Sequence, residues 1–353
     1  MEPIVPKTKD AEDKEKLPEF DIQDIPDAMD SMEWPVAANL AREWFSKPKN
    51  IWDNNLNSAQ PSNSSIVTID WALKHGKIKE KIKKLINDDI YSEKAISLIR
   101  KKVFQHVREA FTETQNTSPD LNLDTAPHMT DLRNFHSDWQ VQQIRISTLD
   151  TLNGLLMTDL SAALGNFVIY AAIGRVEVRN ERYFDYQTNP YQYCTDAIAQ
   201  VTHIYIYLKD NYSFNDKDPT NSQYLGHWNK KDMILSYTVA ANDLLGQYAP
   251  EWKIKALNDS DEIETTGINW DYLINRKEVD KPIDKRTGVV RKFIKKDIYW
   301  PVYNSSYNEW RELHGRGGDF MIYSKPKLYK LKTPLSFKLE RICRPYENIS
   351  VHQ

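Results

Sequence analysis

The residues best suited to chemistry gather between Tyr307 and Ser324, in the stretch Tyr-Asn-Glu-Trp-Arg-Glu-Leu-His-Gly-Arg-Gly-Gly-Asp-Phe-Met-Ile-Tyr-Ser. Three of the chain's 11 glycines stand at positions 315, 317 and 318, and glycine's access to positive φ lets the backbone turn tightly there. His314, Arg316 and Asp319 are thereby displayed on one short turn: a proton carrier, an anion binder and a carboxylate able to ligate a divalent metal. His314 and Asp319 are candidate catalytic residues, and Arg311 and Arg316 candidate substrate-binding ones. A second group follows a strand that ends near residue 210, with Asp210 and Tyr212 as catalytic candidates. His227 and Trp228, in Tyr224-Leu-Gly-His-Trp228, are candidates for substrate binding. Function gathers on loops carried by rigid strands, so the loop at Asp210 is expected to approach the 314–319 turn.

Established signatures are missing. The glycine cluster runs helix, loop, strand and lacks a lysine, whereas a phosphate-binding P-loop runs strand, loop, helix and has one. Consecutive glycine amides can still form an anion nest, although a helix stop and turn accounts for them as well. No Gly-x-Gly-x-x-Gly or Gly-x-Ser-x-Gly occurs, and the eight histidines form no His-x-x-x-His or His-Glu-x-x-His pair. With only Cys194 and Cys343, the chain has no cysteine zinc site and no disulfide framework, which suits a reducing compartment. A formal charge of −3 gives no overall pull toward nucleic acid. Neither a basic-then-apolar leader nor a run of 18 apolar residues is present. The expectation is a chain made in the cytoplasm, without a membrane span, that leaves the cell, if it does, without a signal peptide.

The elements that must position these residues follow from periodicity. Residues 1–19 alternate charge and proline with almost no large apolar side chain, so they read as a tail whose deletion leaves stability unchanged. Pro26 and Pro35 each open a helix at its first turn. From Asp70 to Phe111, Ile78, Ile82, Leu85 and Ile86, and then Ile96, Ile99, Val103, Phe104 and Val107, repeat at helical spacing. The lysines at 77, 79, 81, 83 and 84 read as a solvated face. Thr112 to Pro127 is polar and marks a boundary, giving a helical region over 20–115 and a β-rich domain over 116–353.

Strands are expected over Phe135–Ile146, Asn166–Val178 with a bulge or bend at Gly174, Ala199–Phe214, Met233–Ala241, Val289–Ile294, Phe320–Ser324 and Lys327–Leu339. Thr158–Leu164 reads as a helical turn and Asp259–Thr266 as an acidic loop. The 19 Tyr, 11 Phe and 10 Trp suit half-buried sheet faces. The fold class is α+β: an N-terminal helical layer on a curved antiparallel sheet or partial β-barrel.

Ile25-Pro-Asp-Ala-Met29, Trp34-Pro-Val-Ala-Ala38, Trp44-Phe45, Tyr207-Leu-Lys-Asp-Asn-Tyr-Ser-Phe214, Tyr224-Leu-Gly-His-Trp228 and Gly315-Arg-Gly-Gly-Asp-Phe320 occur in order. With them the chain resembles, over about residues 20 to 335, a bacterial family of unknown function encoded among type VI secretion genes. The resemblance implies an antibacterial effector, while the missing catalytic signature and the aromatic residues favour a non-enzymatic immunity or adaptor protein; the partner is then a secretion spike, an adaptor or a cognate toxin or immunity protein. A second likeness lies in Asp210-Asn-Tyr212, similar to the first half of the Asp-x-Tyr-Asp motif of colicin M-type bacteriocins, which cleave a lipid-linked peptidoglycan precursor. Ser213 stands where the second Asp belongs, and no Arg follows within the loop. A hydrolase acting on a phosphodiester or cell-wall precursor is the third reading.

Overall fold

The structure, a computed structural model, describes residues 20–52, 61–113, 120–153, 157–217, 222–234, 278–284, 289–294 and 300–345. The expected tail, the acidic loop at 259–266 and all but the first two residues of the strand expected over 233–241 lie outside them. Two units divide the chain, and neither is continuous: one comprises Met1–Glu33 with Phe214–Gly317, the other Trp34–Ser213 with Gly318–Gln353.

In the larger unit, helix α2 (Pro35–Ser46) follows α1 (Ile25–Ser31) of the smaller one, and each has proline in its first turn. There proline's missing N–H costs nothing. Next come β1 (Ser62–Asn63), α3 (Ile69–Ala72), α4 (Ile78–Asn87) and α5 (Glu93–Glu113). Then follow β2 (Asp120–Asp124), α6 (Leu132–Trp139), β3 (Gln140–Ile146), α7 (Thr148–Thr151), α8 (Asp159–Ala163) and the long strands β4 (Phe167–Asp185) and β5 (Gln192–Tyr212). Asp159 of α8 joins the helical layer. Its carboxylate accepts from the Val36 and Ala37 amides at the start of α2, 3.2 and 2.8 Å away, and from Trp71 Nε1 at 2.9 Å.

The β4–β5 pair is the spine of an eight-stranded sheet curled into a half-barrel. One edge of β5 is shared by β11 (Phe320–Tyr323), β12 (Lys327–Lys338) and β13 (Ile342–Pro345), which pair in turn with residues 209–212, 198–206 and 192–195. The outer edge of β4 takes β3 and then β2. The sheet is mixed, because β1 runs parallel to β11.

The β4–β5 register slips between Ile173 and Arg175, at the bend expected from Gly174. A Cβ there would lie 2.8 Å from the His203 carbonyl oxygen. Thr125 satisfies the carbonyls freed by the slip, with its hydroxyl donating to Ile173 O at 2.6 Å and its amide to Gly174 O at 3.0 Å.

Two expectations need correction. The strand expected over 135–146 begins only at Gln140. Asp131 caps the preceding segment by accepting from the Arg133 and Asn134 amides, and Phe135 and Trp139, four apart, bury on one helical face. The two cysteines also do not stay apart: Cys194 and Cys343 stand opposite each other on β5 and β13 and are joined in a disulfide.

The smaller unit contains α1, a three-stranded sheet of β6 (Tyr224–Trp228), β7 (Met233–Ile234) and β10 (Trp300–Tyr303), and the hairpin β8 (Glu278–Asp284) with β9 (Val289–Ile294). Helix α9 (Asn304–His314) closes it. Two amides at its start are satisfied by the neighbouring loop, Asn304 N by Gln223 O and Ser305 N by Ser222 Oγ. Gly315 ends the helix in the left-handed region at φ 62°, as a glycine at that position commonly does.

Candidate functional site

Of the residues singled out on the 314–319 turn, His314 and Arg316 lie in the smaller unit and Asp319 in the larger. His314 is exposed. Its ring stacks on Trp310 at 4.4 Å between centroids, and Nδ1 lies 2.8 Å from the Trp310 carbonyl. A carbonyl only accepts, so the proton sits on Nδ1 and Nε2 is left as the basic nitrogen. Arg316 is exposed as well. Arg311 is wholly buried and donates to the Phe214 carbonyl and to Asn308 Oδ1.

Asp319 is 0% exposed. Its carboxylate accepts from Trp44 Nε1 at 3.0 Å and from the Trp52 amide at 2.9 Å, while its backbone carbonyl accepts from Asn50 Nδ2 at 2.8 Å. Gly318 next to it has no room for a side chain, because a Cβ would stand 2.4 Å from the Pro48 carbonyl oxygen. This end of the turn clamps the segment after α2.

His227 touches the Tyr224 hydroxyl through Nδ1, and burial pushes its pKa down to about 4. Trp228 is buried and donates from Nε1 to Leu225 O. Asp210 and Tyr212 end β5, where Asp210 stands opposite Ile322 and Tyr212 opposite Phe320. The end of β5 therefore meets the strand that begins directly after Asp319. Tyr212 is buried and stacks on Phe320 at 5.3 Å, and burial raises its phenol. Asp210 keeps some exposed surface, yet its carboxyl lies deep enough for burial to push it up to about 8, against the opposing pull of the Asn211 amide.

Next to this strand end the larger unit assembles a cluster that the sequence reading missed. The pairings Tyr170↔Tyr207, Val168↔Lys209 and Tyr323↔Lys209 set Tyr170, Tyr207, Lys209 and Tyr323 on one sheet face. Helix α6 covers that face. Phe135 meets the Tyr205 and Tyr207 rings at 5.8 Å each, and His136 Nδ1 lies 2.7 Å from the Tyr207 hydroxyl. The His136 ring also meets Tyr170 edge-on at 4.6 Å, and Lys209 Nζ sits 5.9 Å from the Tyr323 ring centroid.

Electrostatics follow from that packing. His136 is held down to about 4 by burial, then by the charges of Lys209 and Lys102, so its imidazole is neutral at pH 7. The Lys209 ammonium is lowered by burial and then by Arg133. Tyr323 is pushed up to about 12, chiefly by burial. Tyr170 is raised by burial and then by the charge of Asp210, which projects to the other face of the sheet. One signal in the sequence could have revealed this face: read as a helix capped by Asp131, residues 132–139 place Arg133 and His136 three apart on one side.

Among the described residues no group of three or more His, Cys, Asp or Glu is placed to hold a metal ion, and no helix is long and apolar enough to cross a membrane. No curated protein and no solved structure matches the chain. A family model described as "Family of unknown function (DUF6402)" matches residues 20–339 and carries no tie to type VI secretion or colicin M. That match takes in both units and nearly every described element, and the chain belongs to this family.

Proposed function

We propose that this protein is an antibacterial effector of a secretion system, with the His136–Tyr170–Tyr207–Lys209–Tyr323 cluster as its working site. The observation that carries the reading is the convergence of an imidazole, an ammonium and three phenols on one sheet face. Such groups gather at sites of proton transfer more than in ordinary cores. A neutral His136 that accepts the Tyr207 proton at Nδ1 offers Nε2–H as a donor. The Cys194–Cys343 bridge favours action in an oxidising compartment such as a target cell's periplasm. The secretion role rests on the resemblance read from the order of motifs alone.

Expression in a susceptible bacterium tests this, with and without a periplasmic leader. Growth arrest on periplasmic targeting is expected, and His136→Gln with Lys209→Met should abolish it while the circular dichroism spectrum is kept. Arrest lost instead in His314→Ala, on the exposed turn, would move the working site there. No arrest in either compartment overturns the effector reading.

A second reading, a non-enzymatic immunity or adaptor protein, is favoured by the tip of the β4–β5 hairpin. Tyr186, Tyr191 and Tyr193 are 73%, 52% and 41% exposed there around Phe184, and exposed aromatic clusters are common anchors in protein interfaces. Tyr186→Ser with Tyr191→Ser should then abolish binding to a co-encoded toxin and leave the melting temperature unchanged.

A further inference from the structure

We infer that the Cys194–Cys343 bridge is a thiol-controlled latch: while it is closed β13 covers the end of β5, and its reduction frees β13 and opens the β5 edge over residues 192–195, beside the aromatic tip of the β4–β5 hairpin. The latch stands apart from the cluster beneath α6, and neither depends on the other.

The bridge sits where one bond decides whether a strand stays docked. β13 pairs Ile342 with Thr195, Cys343 with Cys194, Arg344 with Tyr193 and Pro345 with Gln192. Pro345 has no N–H to give to the ladder, and Ile342 supplies a buried apolar side chain. Arg341, which leads into the strand, lies 3.1 Å from Asp196 and over the Tyr183 ring at 5.4 Å, but it is exposed, and such contacts add little. Upstream the attachment does not need the bridge: β12 pairs with residues 198–206, and the Leu339 amide donates to Ala197 O at 2.9 Å. Opening therefore stops short of Leu339 and is local, with the rest of the sheet still paired.

The two cysteines differ in access. Cys343 is exposed and Cys194 is buried, so a dithiol reductant attacks at Cys343. Its first thiolate bonds to Cys343 Sγ, the bond between the cysteines breaks, and its electron pair stays on Cys194 Sγ, which takes up a proton. The second thiolate of the reductant then displaces Cys343 Sγ, which is protonated in turn, and the reductant leaves as its own disulfide. Two electrons pass from dithiol to bridge, and a small-molecule disulfide reverses the exchange. The latch is thus open in a reducing compartment and closed in an oxidising one. Open, it bares a strand edge that carries Tyr193 and adjoins Tyr191, and an unpaired edge is what an added strand pairs with.

Hydrogen–deuterium exchange of the full-length protein, with and without dithiothreitol under native conditions, reads the latch. On reduction, peptides covering residues 192–195 and 342–345 are expected to exchange faster by about tenfold or more, while residues 198–206 keep their protection. Oxidised glutathione should restore the slow rate. A double variant, Cys194→Ser with Cys343→Ser, should exchange at the reduced rate whether or not dithiothreitol is present. Should that variant fail to fold, the parent compared with itself in its two redox states carries the test. Unchanged exchange after two thiols have been titrated, or acceleration across the whole sheet, overturns the inference, because the bridge is then a passive staple. A bridge that dithiothreitol reduces only when the protein unfolds overturns it as well.

Discussion

At the scale of single residues, carboxylates that look alike in sequence have opposite fates. Asp319 accepts two hydrogen bonds inside the protein and serves as a clamp. Asp210 has burial against it and the Asn211 amide in its favour, and burial wins. The consequence for stability has a definite sign. The unfolded carboxyl titrates near 3.8 and the folded one at about 8, so between those values the unfolded chain releases a proton that the folded protein keeps. Stability is therefore full below pH 3.8 and falls as pH rises toward 8. Asp210→Asn, whose side-chain oxygen still accepts from the Asn211 amide, removes that loss. Denaturant melts should show the variant more stable by on the order of 5 kcal/mol at pH 7.5 and equal to the parent near pH 4. A variant no more stable than the parent at pH 7.5 would mean that Asp210 is solvated and ionised.

At the scale of elements, β5 is the strand on which the larger unit depends, and its first four residues are held on one side by the four-residue strand β13. A strand that short supplies few hydrogen bonds, and the Cys194–Cys343 bridge, spanning 149 residues of sequence, supplements them. The ion pair of Arg341 with Asp196 at 3.1 Å adds little, because Arg341 is largely exposed. Cross-links that close long loops restrict the unfolded chain most, so Cys343→Ser should lower stability by about 2–4 kcal/mol. The same loss should follow when the parent protein is melted under a reductant. Thiol titration of oxidised, unfolded protein should detect no free cysteine, and two reactive thiols would show that the bridge does not form.

For the molecule as a whole, the smaller unit's main segment, residues 214–317, is inserted between two neighbouring strands of the larger unit's sheet. Tyr212 and Phe320 are directly paired across β5 and β11, so Ser213 and Asp319 are held at the span of a tight hairpin. Replacing residues 214–317 with a short Asn-Gly turn should therefore leave a chain of residues 34–345 that folds with β-rich circular dichroism and a cooperative melt. Residues 34–213 alone, with one edge of β5 stripped of β11, β12 and β13, should aggregate. If both shortened chains aggregate, the larger unit needs the inserted segment in order to fold.

Periodicity and turn chemistry are local, and what depends on them was legible from the sequence: the helices opened by Pro26 and Pro35, the α4 and α5 repeats, the glycine stop before the Phe320 strand, the bend at Gly174, and an α+β fold with a partial barrel. Residues 135–139 were misread because Phe135, Trp139 and the apolar residues after them satisfy a strand pattern as well as a helical one, and the Asp131 cap decides between them. The candidate site was half legible. Asp210 and Tyr212 mark the strand end beside it, but the members of the site outside β5 come from α6, β4 and β11, at positions 136, 170 and 323. Only long-range strand pairing brings those together, and a single chain carries no local trace of which strands will pair. The same holds for the bond between Cys194 and Cys343, the burial of Asp319 and the division into two interleaved units. Each depends on which distant segments share a sheet, and tertiary packing alone settles that.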